Sequence, residues 1–180
     1  VGLVLMMEGA EAIRQSQDLE IWWQQGVRII GPAWAGNRFC GGTREPGPLT
    51  AQGFDLLEGM AQLGFILDIS HMDEKAVLQS LDIYPGVIIA THANALALLK
   101  DVESNRFLSD RVLNRLIERG GIVGVVPFNR FLLWGWSPSD GRQSVSLDRM
   151  IAHIDYICQI AGDAEHVGIG SDFDGGFGLQ

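Results

Sequence analysis

Four side chains able to bind a metal ion or move a proton stand at the ends of apolar segments in this sequence. They are Glu8, His71, His92 and Asp172. Imidazole nitrogens and carboxylate oxygens are both good ligands for zinc, with bonds of about 2.0–2.2 Å. A metal ion held by such groups can activate water and polarise a carbonyl group. These residue types therefore predict a metal-assisted hydrolase.

Each of these residues follows a short apolar run, which is the pattern of a strand buried on both faces of a parallel sheet. The runs predict strands at 3–7, 28–31, 65–69, 87–90, 122–126 and 167–170. Helical patterns lie between them, at 16–25, 51–63, 73–81, 109–119 and 146–161. Alternating strands and helices favour a parallel sheet with right-handed crossovers.

The choice lies between a doubly wound sheet and a closed barrel. No GxGxxG turn follows the first strand, and polar residues at several strand ends favour a barrel, whose chemistry sits where those ends converge. Six strand–helix units in 180 residues extrapolate to about 250 residues for eight units, the usual barrel size. We therefore expect an α/β fold: an incomplete (β/α)8 TIM barrel, with about strands 3–8 present, as one partial domain over 1–180. Both chain ends look cut, so we expect a fragment.

Composition narrows the functional classes. Apolar residues make up 47% and charged residues 19% of the chain, as in ordinary globular proteins. The formal net charge of −9 disfavours nucleic acids and anionic membranes as partners, and no apolar stretch is long enough to predict a membrane-spanning helix. The two cysteines, Cys40 and Cys158, form no CxxC pattern and are expected to be free thiols.

His71 and His92 are the strongest pair, because they occupy equivalent positions on consecutive predicted strands. Asp68, within the strand and three residues before His71, is a candidate carboxylate partner for a ligand histidine. Asp172 and Asp174 could supply a ligand or a proton-transfer group, or could simply form an Asp-Gly turn. The Gly- and Pro-rich segment 33–50 is expected to be a loop that forms a wall of the site.

Several short motifs follow one another along the chain. They are MEG at 7–9, QGVR at 25–28, LDISH at 67–71, ATHAN at 90–94, NRFLSD at 105–110 and HVGIGSDFDG at 166–175. Any one of them is weak evidence, but their order and spacing make the set specific. Together they resemble the membrane dipeptidase (renal dipeptidase) family of zinc peptidases, peptidase family M19.

The resemblance implies a barrel that holds two zinc ions and hydrolyses dipeptides. It implies that Glu8 bridges both metals and that His71 and His92 complete one zinc site. The second zinc of the family takes a His and an Asp from an HxD motif on the first strand, which this chain lacks. Asp172 matches the family's catalytic acid/base. Arg106 matches the arginine that contacts the substrate carboxylate, although the alignment needs a one-residue insertion there.

One departure concerns the substrate. Where the family usually has a substrate-contacting histidine, this chain has Trp34. Losing a donor at an oxyanion can cost ~3–4 kcal/mol, so an altered substrate range is expected. Two alternatives stay open: an amidohydrolase-like barrel that acts on another amide, a lactone or an ester, and a non-catalytic metal-binding fragment. A cytoplasmic location is favoured for a bacterial-type member without a visible signal peptide, and a homodimer is left open.

Overall fold

The computed structural model describes residues 2–175, which fall into two compact units. The first unit contains the residues up to Ile89 together with Ser104–Arg106, and the second contains Ala90–Glu103 and the residues from Phe107 onwards. The strands are β1 (Leu5–Glu8), β2 (Val27–Gly31), β3 (Cys40–Gly42), β4 (Glu45–Leu49), β5 (Ile66–Asp68), β6 (Ile88–Ile89), β7 (Val123–Val125) and β8 (Val167–Ile169). The α-helices are α1 (Asp18–Gln24), α2 (Ala51–Leu63), α3 (Glu74–Ile83), α4 (Asp110–Glu118), α5 (Asn129–Leu132) and α6 (Leu147–Ala161).

The first unit is built on a four-stranded parallel sheet in the order β1-β2-β5-β6. In the second unit, β7 pairs with β8, also in parallel. These six strands confirm the six predicted from the apolar runs. Neighbouring parallel strands have their carboxyl ends at the same edge of the sheet. The candidate ligands lie at or just after those strand ends.

Local signals explain where the helices begin and end. Thr50 caps α2, since its hydroxyl accepts a hydrogen bond from the backbone N–H of Gly53, and the helix ends at Gly64 in the left-handed conformation (φ 82°). Asp73 caps α3 in the same way, accepting from the N–H of Lys75. The five helices predicted from sequence are all present, with ends displaced by two residues at most.

The segment 33–50, predicted as a loop, contains an antiparallel hairpin instead. β3 and β4 pair through Cys40 with Leu49 and Gly42 with Glu45. Gly41 and Gly47 make this possible, because a Cβ on Gly41 would lie 2.1 Å from the backbone nitrogen of Gly47. The Gly and Pro content of this segment led to the prediction of a loop, whereas the glycines allow the two strand backbones to approach closely.

The expectation that every strand is buried on both faces is wrong for β1. This strand lies at the edge of its sheet, and Leu5 and Met6 are 43% and 38% exposed. At β8, Ile169 is 73% exposed. The interior strands differ, since Ile30, Leu67 and Ile88 are almost fully buried. Among the described residues, β1 and β8 each stand at an open edge of their sheets.

The second unit has its own core. The α4 and α6 helices pack together, and α6 also covers β7 and β8. The buried side chain of Asn94 joins the loop after β6 to the end of β7, because its amide accepts from Val126 N–H at 3.0 Å and donates to the Val126 carbonyl at 3.2 Å. Among the described residues, no helix is long and apolar enough to cross a membrane.

Candidate metal centre

Glu8 and His71 converge at the carboxyl end of the four-stranded sheet. Glu8 is the last residue of β1, and His71 follows the end of β5. Their Oε1 and Nε2 atoms lie 3.2 Å apart; the His71 side chain is 9% exposed and that of Glu8 35%. Two ligands on one tetrahedral zinc, with bonds of about 2.0–2.1 Å, are roughly 3.3–3.4 Å apart. The observed separation suits either a direct hydrogen bond or a shared cation.

The other ring nitrogen of His71 is held by Thr43. The Thr43 Oγ1 lies 2.9 Å from His71 Nδ1. Thr43 sits at the turn of the β3–β4 hairpin, so the hairpin reaches back over the end of the sheet. A hydrogen bond at Nδ1 fixes the ring orientation and directs Nε2 towards Glu8.

Trp34 covers one face of His71. The two ring centroids are 5.3 Å apart and the rings are inclined by 28°. Sheet register explains the contact: Ile30 pairs with Leu67, and Trp34 and His71 each lie four residues beyond those partners. Trp34 remains 48% exposed, so an aromatic surface stands beside the candidate ligand.

Asp68 shapes the turn that leads to His71. Its buried carboxylate accepts hydrogen bonds from the backbone N–H and the hydroxyl of Ser70, at 3.0 and 2.6 Å. Thr43 lies at Nδ1 of the His71 ring, and the support of a ligand histidine by Asp68 stays a prediction. An aspartate that accepts from the residue two positions later is a common turn device.

Arg106, the residue expected to meet a substrate carboxylate, belongs to the first unit and is 5% exposed. Its backbone N–H donates to the Ser104 hydroxyl at 3.2 Å. The preceding residue, Asn105, is hydrogen-bonded to the β3–β4 hairpin. The segment that carries Arg106 is thus tied to the hairpin that carries Thr43.

In the second unit, His92 repeats the arrangement of His71. It is buried, and its Nδ1 lies 2.8 Å from the hydroxyl of Thr91. Each histidine lies three residues beyond its strand and has a threonine hydroxyl at Nδ1, which leaves Nε2 as the nitrogen for a metal.

Asp172 lies at the end of the described chain, beyond β8. It is half-buried and has a left-handed backbone (φ 49°). The Gly175 N–H donates to its carbonyl at 2.9 Å, and a Cβ on Gly175 would lie 2.2 Å from Asp172 Oδ1. The carboxylate therefore folds over a turn that requires a glycine. Asp174, the other candidate, is exposed within this turn.

Sequence reasoning missed two residues of this region, Thr43 and Asn105. Thr43 is 28 positions from His71, and Asn105 is 61 positions from its hydrogen-bond partner Arg44. A contact across such distances depends on the hairpin, which the sequence did not reveal. Thr91 was accessible to inference, since it directly precedes His92.

The family model described as membrane dipeptidase (Peptidase family M19) matches residues 1–179. An uncharacterized protein from the pqqA 5′ region of Klebsiella pneumoniae is 37% identical, over 97% of this chain and 66% of its own length. The dipeptidase tcpJ of Claviceps purpurea is 30% identical, over 97% of this chain and 41% of its own.

The fold of the chain is also similar to that of a protein solved by crystallography. The metallo peptidase from Rhodobacter sphaeroides, liganded with a phosphinate mimic of the dipeptide L-Ala-D-Ala, superposes with a TM-score of 0.81 at 34% identity. The match covers 96% of this chain and 50% of that one. The chain thus spans between about two fifths and two thirds of the length of the proteins described here. The predicted α/β fold, an incomplete barrel, is confirmed, and the chain belongs to the membrane dipeptidase family, peptidase family M19.

Proposed function

We propose that the intact protein is a metallodipeptidase, whose metal site is held in part by Glu8, His71 and His92. The observation that carries this proposal is the approach of Glu8 Oε1 to His71 Nε2, with Nδ1 of the same ring already bonded to Thr43. Metal-binding histidines commonly have one ring nitrogen fixed by a hydrogen bond and the other directed at the metal. The buried His71 has this arrangement, with Nδ1 fixed and Nε2 facing a carboxylate.

His92 is proposed as the third ligand on grounds of sheet register. Leu67 of β5 pairs with Ile88 of β6, and His71 and His92 each lie four residues beyond those partners. Each of the three side chains can offer one ligand atom, an imidazole nitrogen or a carboxylate oxygen. This donor set fits zinc and other divalent transition metals.

The residues fit the family's cofactor, so their roles can be assigned. Bound zinc would polarise the scissile carbonyl group and lower the pKa of a water molecule. The imidazoles of His71 and His92 and the carboxylate of Glu8 would hold the ion in a fixed position. We propose two zinc ions for the intact protein, with the second completed by residues outside this chain.

Three further side chains complete the proposal. Arg106 would hold the free carboxylate of a dipeptide, since a guanidinium matches a carboxylate in geometry and charge. Asp172 would take a proton from water and deliver it to the leaving amine. Trp34 would lie along the substrate with its exposed aromatic face. A small dipeptide is therefore the substrate that we propose.

Trp34 also supports a second candidate function. The family resemblance implies a histidine, a hydrogen-bond donor to the substrate, where this chain has Trp34; the indole that stacks on His71 has a single N–H donor at a different place on its ring. A barrel that acts on a different amide, a lactone or an ester would need that donor less. We regard this as the alternative to dipeptide hydrolysis.

A substrate panel separates the two functions. The intact protein would be offered dipeptides with free carboxylates, the same dipeptides as C-terminal amides, and simple esters. Dipeptide hydrolysis predicts turnover of the free acids and a large loss for the amides, because Arg106 would lose its partner. Equal rates for acids and amides would contradict the dipeptidase proposal and favour the alternative.

Metal content tests the site itself. For the 180-residue chain alone, which carries only part of the proposed ligand set, we expect about one zinc ion per folded molecule and no turnover. His71→Ala should lose that ion, whereas His166→Ala should retain it, because His166 is bonded to the Gly121 carbonyl in the second unit. A folded chain that binds no zinc would overturn the metal site.

A further inference from the structure

We propose that Asn105 is a positioning residue of this metal site, which holds the hairpin turn so that Thr43 fixes the ring of His71. The inference rests on the proposed metal site and adds a residue that does not touch the ion. Asn105, Thr43 and His71 all belong to the first unit.

The side-chain amide of Asn105 bonds to the hairpin on both sides of Thr43. Its Oδ1 accepts from the backbone N–H of Arg44 at 3.0 Å. Its Nδ2 donates to the carbonyl of Gly42 and to Oδ2 of Asp73, both at 2.9 Å. The residues immediately before and after Thr43 are thereby held by one planar group.

The turn needs such support because of its backbone conformation. Arg44 has φ of 67°, in the left-handed region that residues with a Cβ seldom adopt. A conformation of this kind is strained and persists only where its surroundings enforce it. The bond from Arg44 N–H to Asn105 enforces it at the strained residue itself.

The hairpin is also joined to the chain that follows His71. Gly42 forms an antiparallel bridge with Met72, and the Asp73 N–H donates to the Gly41 carbonyl at 3.0 Å. Asp73 in turn caps α3 by accepting from the N–H of Lys75. Asn105, by bonding to both Asp73 and the turn, fixes the turn relative to the segment that carries His71.

Thr43 is the point at which this arrangement reaches the metal ligand. Its hydroxyl lies 2.9 Å from His71 Nδ1, and its N–H donates to the Trp34 carbonyl at 3.0 Å. A shift of the turn by about 1 Å would stretch the contact with Nδ1 beyond hydrogen-bonding distance. The imidazole would then lose the bond that directs Nε2 towards Glu8.

The test is a double-mutant cycle with zinc affinity as the readout. Zn²⁺ binding to the folded 180-residue chain would be measured by competition with a chromophoric chelator. Thr43→Val should weaken zinc binding by about 10–100-fold, the usual effect of losing such a partner. Asn105→Ala should weaken binding by about tenfold alone, and by less than about twofold in the Thr43→Val background, because its effect passes through Thr43.

The matched control is Asn114→Ala, which removes an exposed asparagine amide of α4 that bonds only locally, to the Asp110 carbonyl. It should leave zinc affinity unchanged. Unfolding of each variant in the presence of a chelator would separate stability from binding. If a variant is less stable but its folded fraction binds zinc as tightly as the unmodified chain does, the substitution affects stability alone. That result would overturn the proposal.

Further outcomes of the cycle are also decisive. Full additivity of Asn105→Ala and Thr43→Val would mean that the two residues act independently, contrary to the proposal. If Asn105→Ala does not fold, Asn105→Asp takes its place, since it keeps the acceptor for Arg44, loses the two donated bonds and sets a carboxylate against Oδ2 of Asp73. A loss of zinc affinity that vanishes with Thr43→Val would support the proposal, and an unchanged affinity would reject it. If the unmodified chain binds no zinc, the proposed metal site itself fails.

Discussion

Trp34 stacks on the imidazole of His71, with ring centroids 5.3 Å apart and an angle of 28° between the rings. The indole thus restricts the rotation of a candidate metal ligand from the side, whereas Thr43 restricts it through Nδ1. Two independent contacts on one ring keep Nε2 facing Glu8 before any ion arrives. A ligand held in this way loses less conformational freedom on binding.

The stacking predicts that Trp34→Ala weakens zinc binding several-fold and lowers the free energy of unfolding by about 1 kcal/mol, the size of one aromatic pair. Trp34→Phe should retain most of both, because a ring still covers His71. The measurements are chelator competition and urea unfolding. Trp22→Ala, at a half-buried tryptophan of α1, is the control and should leave zinc affinity intact. Equal zinc affinities for Trp34→Ala and the unmodified chain would contradict the prediction.

Thr91 should matter to His92 as Thr43 does to His71. Its hydroxyl lies 2.8 Å from His92 Nδ1, and removing such a partner typically reduces metal affinity by about 10–100-fold. We therefore expect Thr91→Val, which keeps the side-chain shape, to weaken zinc binding by that amount. Thr91→Ser retains the hydroxyl and should bind zinc nearly normally. Similar behaviour of the two variants would show that the hydroxyl is unimportant.

Much of the fold could be predicted because the signals are local. The helix α2 occupies the predicted residues, since Thr50 and Gly64 are strong start and stop signals that need no tertiary context. The six parallel strands were visible as apolar runs for the same reason. The candidate ligands then followed from the rule that chemistry gathers at the carboxyl ends of such strands.

What could not be predicted depends on close approach between distant residues. The hairpin was missed because β4 contains Pro46 and Pro48, and proline argues against a strand unless the strand is at an edge. The contact of Thr43 with His71 and the bonds of Asn105 to the turn both depend on that hairpin. The exposure of β1, at the edge of its sheet, agrees with the prediction of an incomplete barrel.

Two glycines that face each other across β7 and β8 should respond differently to the same substitution. Gly124 and Gly168 are register partners. A Cβ on Gly124 would lie 2.0 Å from the Thr91 carbonyl oxygen, whereas one on Gly168 would meet nothing within 4 Å. Gly124→Ala should therefore destabilise the protein by about 1–3 kcal/mol or more, since the backbone must shift.

Gly168→Ala is the built-in control for this prediction, and it should be neutral or stabilising by up to about 1 kcal/mol, because alanine restricts the unfolded chain. Urea unfolding of the two variants and the unmodified chain gives the comparison. Because the Thr91 carbonyl precedes His92, Gly124→Ala should also weaken zinc binding. Equal stabilities of the two variants would mean that the sheet accommodates a Cβ at either position.

His153 makes stability depend on pH in a defined window. This α6 residue is 1% exposed, and its Nδ1 accepts from the Ala95 N–H at 3.2 Å. Burial lowers the pKa of His153 from 6.5 to about 4. The unfolded chain therefore binds the proton more readily than the folded chain does. The free energy of unfolding should fall as pH drops from about 6.5 to about 4, by up to about 3 kcal/mol.

His153→Gln should remove this part of the pH dependence. Urea unfolding of both proteins at several pH values between 7.5 and 4.5, with a chelator present, would measure it. The other three histidines are present in both proteins, so the difference between the two curves isolates His153. Parallel curves would mean that folding leaves the proton affinity of His153 unchanged, contrary to the effect of burial.

Asp172→Asn distinguishes a proton-transfer residue from a metal ligand. Asparagine tolerates the left-handed backbone at this position (φ 49°) nearly as well as aspartate, so the turn before Gly175 should persist. In the intact protein we expect unchanged zinc content and a kcat for dipeptides lowered by about 10²–10⁴-fold, because an amide cannot carry the proton. Asp174→Asn, at the exposed carboxylate of the same turn, should retain kcat. Loss of zinc in Asp172→Asn would instead make Asp172 a ligand, and the search for the acid/base would move to residues outside this chain.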